Sequence, residues 1–181
     1  MGAQTLSSLK NTNRTFDNVL DSYLNLTDGG TVAGLTTLSG GLTDVLPTYS
    51  VVTAATLTAV AGTEYMINKA AGCAITLPQV SAGARIVFNV GITVTSNNHI
   101  ITATAGDLLV GWSFIEDNDN AADNVKAYFA PDGTDDLIMT LNGSTKGGLI
   151  GDQIELVGIS ATEWRVRAIL KGTGTVATCF S

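Results

Sequence analysis

The chain has 181 residues, a formal net charge of −7 and a mean hydropathy of +0.28, with 45% apolar, 14% charged and 6% aromatic residues. This length fits one domain of ordinary size with an appended arm. Apolar character combined with few charges excludes a chain that is disordered throughout. Nine scattered Lys and Arg residues exclude the phosphate-neutralising stripe that nucleic-acid binding requires. No membrane-spanning run and no secretory signal pattern are expected, because the apolar stretches are short and interrupted.

Residues 1–50 are predicted to form an N-terminal arm. A short amphipathic helix is expected over about 15–26, with Thr15 as its N-cap and Asp28 at its end. The Gly/Thr/Leu-rich segment that follows is either a flexible linker or an extended arm that becomes ordered by laying its leucines on a neighbour. The apolar face of the helix consists of Phe16, Val19, Leu20, Tyr23 and Leu24.

From Val51 onward, short Thr/Val/Ile-rich segments alternate with turn residues, which is typical of an all-β domain. No helix of convincing length is predicted in this region. The segments 153–159 and 163–170 alternate apolar and polar residues around a Ser160–Thr162 turn, which predicts a hairpin. The remaining candidate strands are 56–60, 64–68, 74–77, 85–89, 92–95, 99–103, 107–114, 124–130, 136–141 and 175–179. We therefore expect an antiparallel β-sandwich of jelly-roll or barrel type over 51–181, preceded by the arm.

Polar clusters that could carry chemistry have simpler structural interpretations. The acidic run 116–124 lacks the spacing of an EF-hand, so a solvated loop is favoured over a cation site. The residues 131–136 fit a turn, and the glycine-rich run 143–148 lacks the order of a phosphate-binding loop. No metal or cofactor site is predicted.

No catalytic constellation is visible. Glu64, Glu155 and Glu163 lie on predicted strands, but the sequence alone does not bring any two together for glycoside hydrolysis. The single histidine, His99, is expected to be a half-exposed residue at a strand edge. The two tryptophans, Trp112 and Trp164, are expected to anchor the core or a subunit interface. Cys73 and Cys179 are expected to be buried thiols rather than a disulfide. We predict that the chain is not an enzyme.

Five segments together resemble β-rich virion proteins of tailed bacteriophages, in particular capsid decoration (cement), head-fibre and tail-fibre proteins. The segments are 74–78 (AITLP), 83–88 (GARIVF), 151–157 (GDQIELV), 163–166 (EWRV) and 172–181 (GTGTVATCFS). The resemblance covers roughly residues 55–181 as a spaced pattern. It implies a non-enzymatic trimer, made in the host bacterial cytoplasm, that binds the major capsid protein on the outer surface of the capsid and reinforces the joints of the shell.

Partner contacts are expected from both ends of the chain. In the arm, we predict docking onto the capsid or a sister subunit through Phe16, Leu20, Tyr23 and Leu24, with Val32, Leu35, Leu38 and Leu42 following an adjacent chain. Val176 and Phe180 are a second candidate contact. The alternatives are a tail-fibre or receptor-binding domain that recognises host surface glycans, and a small polysaccharide-degrading domain.

Overall fold

A computed structural model describes residues 47–118 and 126–181. These residues form strands and connecting turns, which confirms the prediction of an all-β domain. The predicted arm helix and most of the arm lie outside the described residues. The strands are β1 Thr48–Val52, β2 Thr56–Thr58, β3 Thr63–Ile67, β4 Cys73–Thr76, β5 Arg85–Val90, β6 His99–Thr102, β7 Leu108–Asp117, β8 Lys126–Phe129, β9 Ile138–Leu141, β10 Gln153–Gly158 and β11 Glu163–Gly172.

The strands are arranged in two sheets. The larger sheet has seven strands in the order β1-β3-β5-β10-β11-β7-β8, and the smaller has four in the order β2-β4-β6-β9. From β1 to β6 the chain alternates between the two sheets, so that each sheet receives every second strand. Successive strands within a sheet are therefore parallel: β1, β3 and β5 in the larger sheet, and β2, β4 and β6 in the smaller.

The prediction of purely antiparallel pairing is wrong. Five of the nine strand pairings are parallel and four are antiparallel. Parallel strands require a crossover connection, and here the crossovers are strands of the opposite sheet rather than helices. The absence of helical segments in the sequence therefore did not exclude parallel pairing.

The predicted hairpin is confirmed. β10 pairs with β11 in antiparallel register, with Ile154 opposite Ala168 and Leu156 opposite Val166. Most of the other predicted strands are present with boundaries shifted by a few residues, but 92–95 and 175–179 are not strands. The last residues instead run beside β9, where the backbone N–H of Thr140 donates to the carbonyl of Cys179 at 2.8 Å. β1 begins at Thr48, within the range assigned to the arm.

One hydrophobic core contains buried side chains from both sheets. Ile86 and Phe88 reach it from the seven-stranded sheet, and Ile75 and Ile101 from the four-stranded sheet, all of them at most 1% exposed. Burial alternates strictly along β11, from Trp164 to Leu170, as a strand with one buried face requires. The two inner faces thus share their apolar side chains, and the two outer faces are left to meet solvent or partners.

Gly111 keeps two strands of the larger sheet close together. Its φ is +110°, and a Cβ at this position would lie 2.2 Å from the carbonyl oxygen of Val166, its partner in β11. Only glycine accommodates both the backbone angle and the approach. The neighbouring residue, Trp112, is thereby held on the outer side of the sheet.

Candidate interaction surface

The outer side of the seven-stranded sheet, called the broad face below, is formed by the side chains that alternate with the core residues. Strand register aligns them in rows, one of which crosses all seven strands from Val51 to Tyr128. Its apolar members are Tyr49, Val51, Met66, Val87, Leu108, Val110, Trp112, Phe114, Tyr128, Val157 and Ile169. Four of the eight large hydrophobic residues that are exposed in the described part lie here. A concentration of this kind on one surface is a sign of a contact site.

An aromatic cluster occupies the β7–β8 side of the broad face. The ring of Tyr128 meets Trp112 edge-on, with centroids 5.8 Å apart, and meets Phe114 at 5.0 Å. The guanidinium carbon of Arg167 lies 5.9 Å from the centre of the Trp112 ring, a cation–π contact. Tyr128 itself is 73% exposed. The cluster is thus held in place by its own contacts, while part of it remains accessible.

Charged and amide side chains form a stripe across the middle of the broad face. Arg85 Nε lies 2.8 Å from Glu155 Oε1, and Arg167 Nη1 lies 3.8 Å from the other oxygen of the same carboxylate. Beside them, the Gln153 amide donates to Asn89 at 3.0 Å, and the Asn89 amide donates to Glu64 at 2.8 Å. Each polar group is held by a neighbour, so the surface is ordered before any partner arrives.

The opposite side of the broad face, at β1 and β3, is again apolar. Tyr49, Val51 and Met66 project there, and Val51 lies beside Met66 in register. The broad face therefore has two apolar lobes with a polar stripe between them. We call Trp112, Phe114, Tyr128 and Ile169 the aromatic lobe, and Tyr49, Val51 and Met66 the edge lobe.

The basic residues are concentrated on this same surface. Of the seven Lys and Arg residues in the described part, five project from the broad face: Arg85, Lys126, Arg165, Arg167 and Lys171. Acidic partners accompany several of them, and Lys126 pairs with Glu116 at 2.8 Å. This hydrogen bond raises the pKa of Lys126. The broad face thus carries both signs of charge, although the chain as a whole is acidic.

The outer side of the four-stranded sheet, called the narrow face, has a different composition. Its outward residues form two registered rows without a charged side chain, Thr56–Ala74–Ile100–Thr140 and Thr58–Thr76–Thr102–Ile138. None of them is aromatic. The narrow face therefore offers hydroxyl and aliphatic groups but none of the aromatic or charged side chains that anchor most protein contacts.

Two buried carboxylates order loops rather than forming a reactive pair. Asp152 is 1% exposed and accepts hydrogen bonds from the backbone N–H groups of Gly148, Leu149 and Lys171 at 2.8, 3.1 and 2.9 Å. Burial raises its pKa to about 6, and the three backbone hydrogen bonds oppose this shift. Asp107 accepts from the backbone N–H of Val80 at 2.8 Å and from the Gln79 amide.

His99 is fully buried, which corrects the expectation of a half-exposed strand-edge residue. It lies on β6, between Cys73 of β4 and Leu141 of β9, and is 0% exposed. The preceding Asn97–Asn98 turn suggested exposure, but the strand register directs the imidazole inward. Neither ring nitrogen has a hydrogen-bond partner among the described residues. Burial lowers the pKa of His99, because the charged imidazolium is the more strongly desolvated form.

Two of the three candidate glutamates share a row of the broad face. Glu64 on β3 and Glu155 on β10 are separated by Val87 of β5. Two strand spacings put their backbones about 10 Å apart. Each carboxylate is engaged, Glu64 with Asn89 and Glu155 with Arg85 and Arg167. Glu163 lies elsewhere on β11, where it accepts from the Ser160 hydroxyl at 3.1 Å.

The loop predictions have mixed outcomes. Glu116 and Asp117 belong to β7, and residues 119–125 lie outside the described part. The 131–136 turn is confirmed, since Asp132 Oδ1 accepts from the backbone N–H of Thr134 at 2.7 Å. Residues 143–148 connect β9 and β10 as a loop, as predicted. Within the described ranges, no group of three or more His, Cys, Asp and Glu side chains is placed to hold a metal ion.

The cysteine prediction is confirmed, and the tryptophan prediction is confirmed for Trp164. Cys73 and Cys179 are buried, unpaired thiols. Burial raises the pKa of Cys73, and raises that of Cys179 to about 11 although the Cys179 thiol lies 3.3 Å from the Ser113 hydroxyl. Trp164 is part of the core at 0% exposure, while Trp112 lies on the broad face. Sequence reasoning named Trp112 but missed its partners Tyr128 and Arg167, because only strand register brings the three together.

The predicted partner-binding residues have different positions. Val176 and Phe180 are 8% and 5% exposed and belong to the core of their own chain, so neither side chain is presented to a partner. The residues proposed for the arm, Phe16, Leu20, Tyr23, Leu24, Leu35, Leu38 and Leu42, lie outside the described residues.

Comparisons with protein-family models, curated proteins and solved structures found no match to this chain. Over the residues that the structure describes, it has no helix with the length and apolarity needed to cross a membrane.

Proposed function

We propose that this chain is a non-enzymatic structural protein of a tailed-bacteriophage virion that binds the outer surface of the capsid and stabilises the shell. The broad face carries the proposal, because it indicates a chain that acts by association with its own copies or with a shell. Trp, Tyr, Met and Arg are enriched in protein interfaces, and Trp112, Tyr128, Met66 and Arg167 all lie on this one surface. The resemblance of residues 55–181 to decoration and head-fibre proteins supplies the biological setting.

The order of the broad face supports a role in permanent contact. Association is weakened by the entropy of fixing flexible side chains. Here Arg167 is already placed over Trp112 and near Glu155, and Arg85 is already paired. These side chains therefore lose little additional conformational entropy when a partner docks on the surface, which favours a long-lived complex.

The use of the buried polar groups supports a structural role as well. The carboxylates of Asp152 and Asp107 are occupied by backbone N–H groups of neighbouring loops. Groups used in this way hold the connections between strands in place.

We also propose that the two sheets constitute a β-sandwich in the wider sense, with mixed pairing in place of the jelly-roll order. The protomer is proposed to assemble as a trimer, with arm residues such as Phe16 and Leu20 contributing contacts to the capsid or a sister subunit. Three copies that engage three equivalent sites of a shell combine weak contacts through effective concentration.

Co-sedimentation of the purified full chain with phage heads that lack it tests this function. We expect saturable binding with a copy number that scales with the number of capsomers rather than the number of fibres, and heads that resist heat or low salt better when decorated. Heads that neither bind the chain nor gain stability would refute the proposal. Bovine serum albumin and a heat-unfolded sample of the chain serve as controls for non-specific co-sedimentation.

A second function, recognition of host surface glycans by a fibre domain, is favoured by one specific observation. Tyr128 is 73% exposed within the aromatic lobe and lies on the same face as the hydrogen-bonding amides of Gln153 and Asn89. Sugars combine an apolar ring face with hydroxyl groups, and such a surface offers contacts to both. A glycan array tests it: Tyr128→Ala should abolish any signal of the wild-type chain, whereas Ile150→Ala should preserve it.

A further inference from the structure

We infer that the broad face is an interface between two copies of this chain, packed face to face about a twofold axis. The inference deepens the proposed function and rests on its premise that the chain acts by association. It commits to a second copy as the occupant of the face, in preference to the shell itself or a glycan.

The size of the broad face fits this occupant. Seven strands spaced about 4.8 Å apart, with two to five outward residues per strand about 6.7 Å apart, cover roughly 600 Å² on each copy. Two such faces bury about 1,200 Å² in total, which is the lower limit of a specific and stable interface. The contact is thus large enough for a dimer without any other surface.

The arrangement of the two lobes fits a twofold axis. β10 is the fourth of the seven strands and therefore the middle of the sheet. The edge lobe, on β1 and β3, lies two and three strands to one side of β10, and β7 and β8 of the aromatic lobe lie two and three strands to the other. A twofold axis through β10 consequently places each apolar lobe on an apolar lobe, whether the axis runs along the strands or across them.

The charges of the central stripe are compatible with a second copy. Glu155 lies beside Arg167 in register and forms ion pairs with both Arg167 and Arg85, so both signs of charge are present at the centre of the face. Because the stripe carries both signs of charge, it is not uniformly repelled by a second copy of itself. A partner with a strong charge of one sign would be attracted only by the stripe residues of opposite charge. The neutral amides of Asn89 and Gln153 extend the stripe and can pair across the interface.

A twofold contact has a consequence for the size of the assembly. If the chain also forms the proposed trimer, the two symmetries together give a hexamer, and the twofold alone gives a dimer. Either assembly has an even number of copies. An odd number in solution is incompatible with the inference.

The test is sedimentation velocity of the full chain at micromolar concentrations, with two pairs of matched variants. On the broad face, Ile169→Glu alters the aromatic lobe and Val51→Glu the edge lobe. The controls, Ile150→Glu and Val60→Glu, change the same residue types at similar exposure, 60% and 60% against 61% and 54%, but lie off the face. All four sites are exposed, so the variants should fold, and thermal unfolding of each checks this.

We expect an even-numbered wild-type assembly, at least tenfold weaker association for both broad-face variants, and no change for the controls. A wild-type monomer or trimer, an effect of only one lobe, or equal effects of variants and controls would overturn the inference. So would broad-face variants that lose binding to heads or glycans while keeping their mass, because that result assigns the face to another partner.

Binding to heads separates this inference from the proposed function. If the chain binds and stabilises heads but its self-association ignores the broad face, the inference fails and the function stands. If self-association depends on the broad face and heads are not bound, the function fails and the interface stands.

Discussion

The two outer faces of the domain differ in chemistry although the same core lies beneath both. The broad face carries a cluster of three aromatic rings, those of Trp112, Phe114 and Tyr128, and five of the seven basic residues of the described part. The narrow face carries threonines and small apolar residues and has no charge. Because both sheets bury apolar side chains in the same core, folding does not require this difference. The difference instead points to contact with a partner on one side only.

The buried titratable groups extend the contrast to the interior. Next to the seven-stranded sheet, Asp152 is a carboxylate whose pKa burial raises to about 6. In the four-stranded sheet, His99 is an imidazole whose pKa burial lowers. Protonation is therefore favoured in the folded state for one group and disfavoured for the other. The two sides of the molecule should respond to acid in opposite directions.

The largest effect is expected where the two sheets do not differ, in their common core. Ile86 of the larger sheet and Ile101 of the smaller are both 0% exposed. Replacing either with alanine removes buried methyl groups and leaves a cavity, which should lower the free energy of unfolding by about 2–5 kcal/mol. Urea denaturation should show a single transition for both variants. Two separate transitions, or a loss confined to one variant, would mean that the sheets are not one cooperative unit; Ile150→Ala, at an exposed site, is the control.

A smaller effect is expected from Asp152 on the side of the broad face. Because its folded-state pKa of about 6 exceeds the ordinary value of 3.8, its contribution to stability is fully present below pH 3.8 and is lost as the pH rises through 6. A shift of this size corresponds to roughly 3 kcal/mol at most. Asp152→Asn cannot titrate, so the stability of the wild type relative to this variant should fall between pH 4 and pH 8. A difference that is constant with pH would contradict the assignment.

His99 should give the opposite and weaker trend on the side of the narrow face. The folded-state pKa of His99 lies below the ordinary value of 6.5. The folded protein therefore has its full stability with respect to this group above pH 6.5, and loses stability as the pH falls below that value. His99→Leu removes both the titration and two buried nitrogens without partners in the described part. The variant should match the wild type or exceed it by about 1 kcal/mol at pH 8, and its advantage should grow at pH 5. Equal stability losses of both proteins on acidification would argue against this role.

The parts of the fold that could be predicted are those specified by local sequence. The β10–β11 hairpin is encoded within 20 residues, by alternation in Ile154, Leu156, Trp164 and Val166 and by the short turn between the strands. The turn at Asp132 is likewise determined by adjacent residues. Periodicity reports which face of a strand is buried, and here it did so correctly.

The alternation of apolar and polar residues does not determine which strands pair with each other. A parallel and an antiparallel strand alternate in the same way, so nothing in Tyr65 or Phe88 indicates that their strands are parallel neighbours. The aromatic lobe was missed for the same reason, since Trp112 and Tyr128 meet only through the pairing of β7 with β8. His99 is buried because its strand lies in register with that of Cys73. The turn residues that precede His99 in the sequence do not indicate this pairing.

The smallest effect is expected on the narrow face, and it tests whether that face is as inert as its composition indicates. Thr76 lies between Thr58 and Thr102 in an exposed row. Thr76→Val keeps the β-branched shape and removes only a hydroxyl group, so the free energy of unfolding should change by no more than about 0.5 kcal/mol. The sedimentation coefficient should also stay that of the wild type, in contrast to Ile169→Glu. If Thr76→Val instead weakened association or head binding, the narrow face would be a contact surface too, and the asymmetry between the two faces would no longer identify where partners bind.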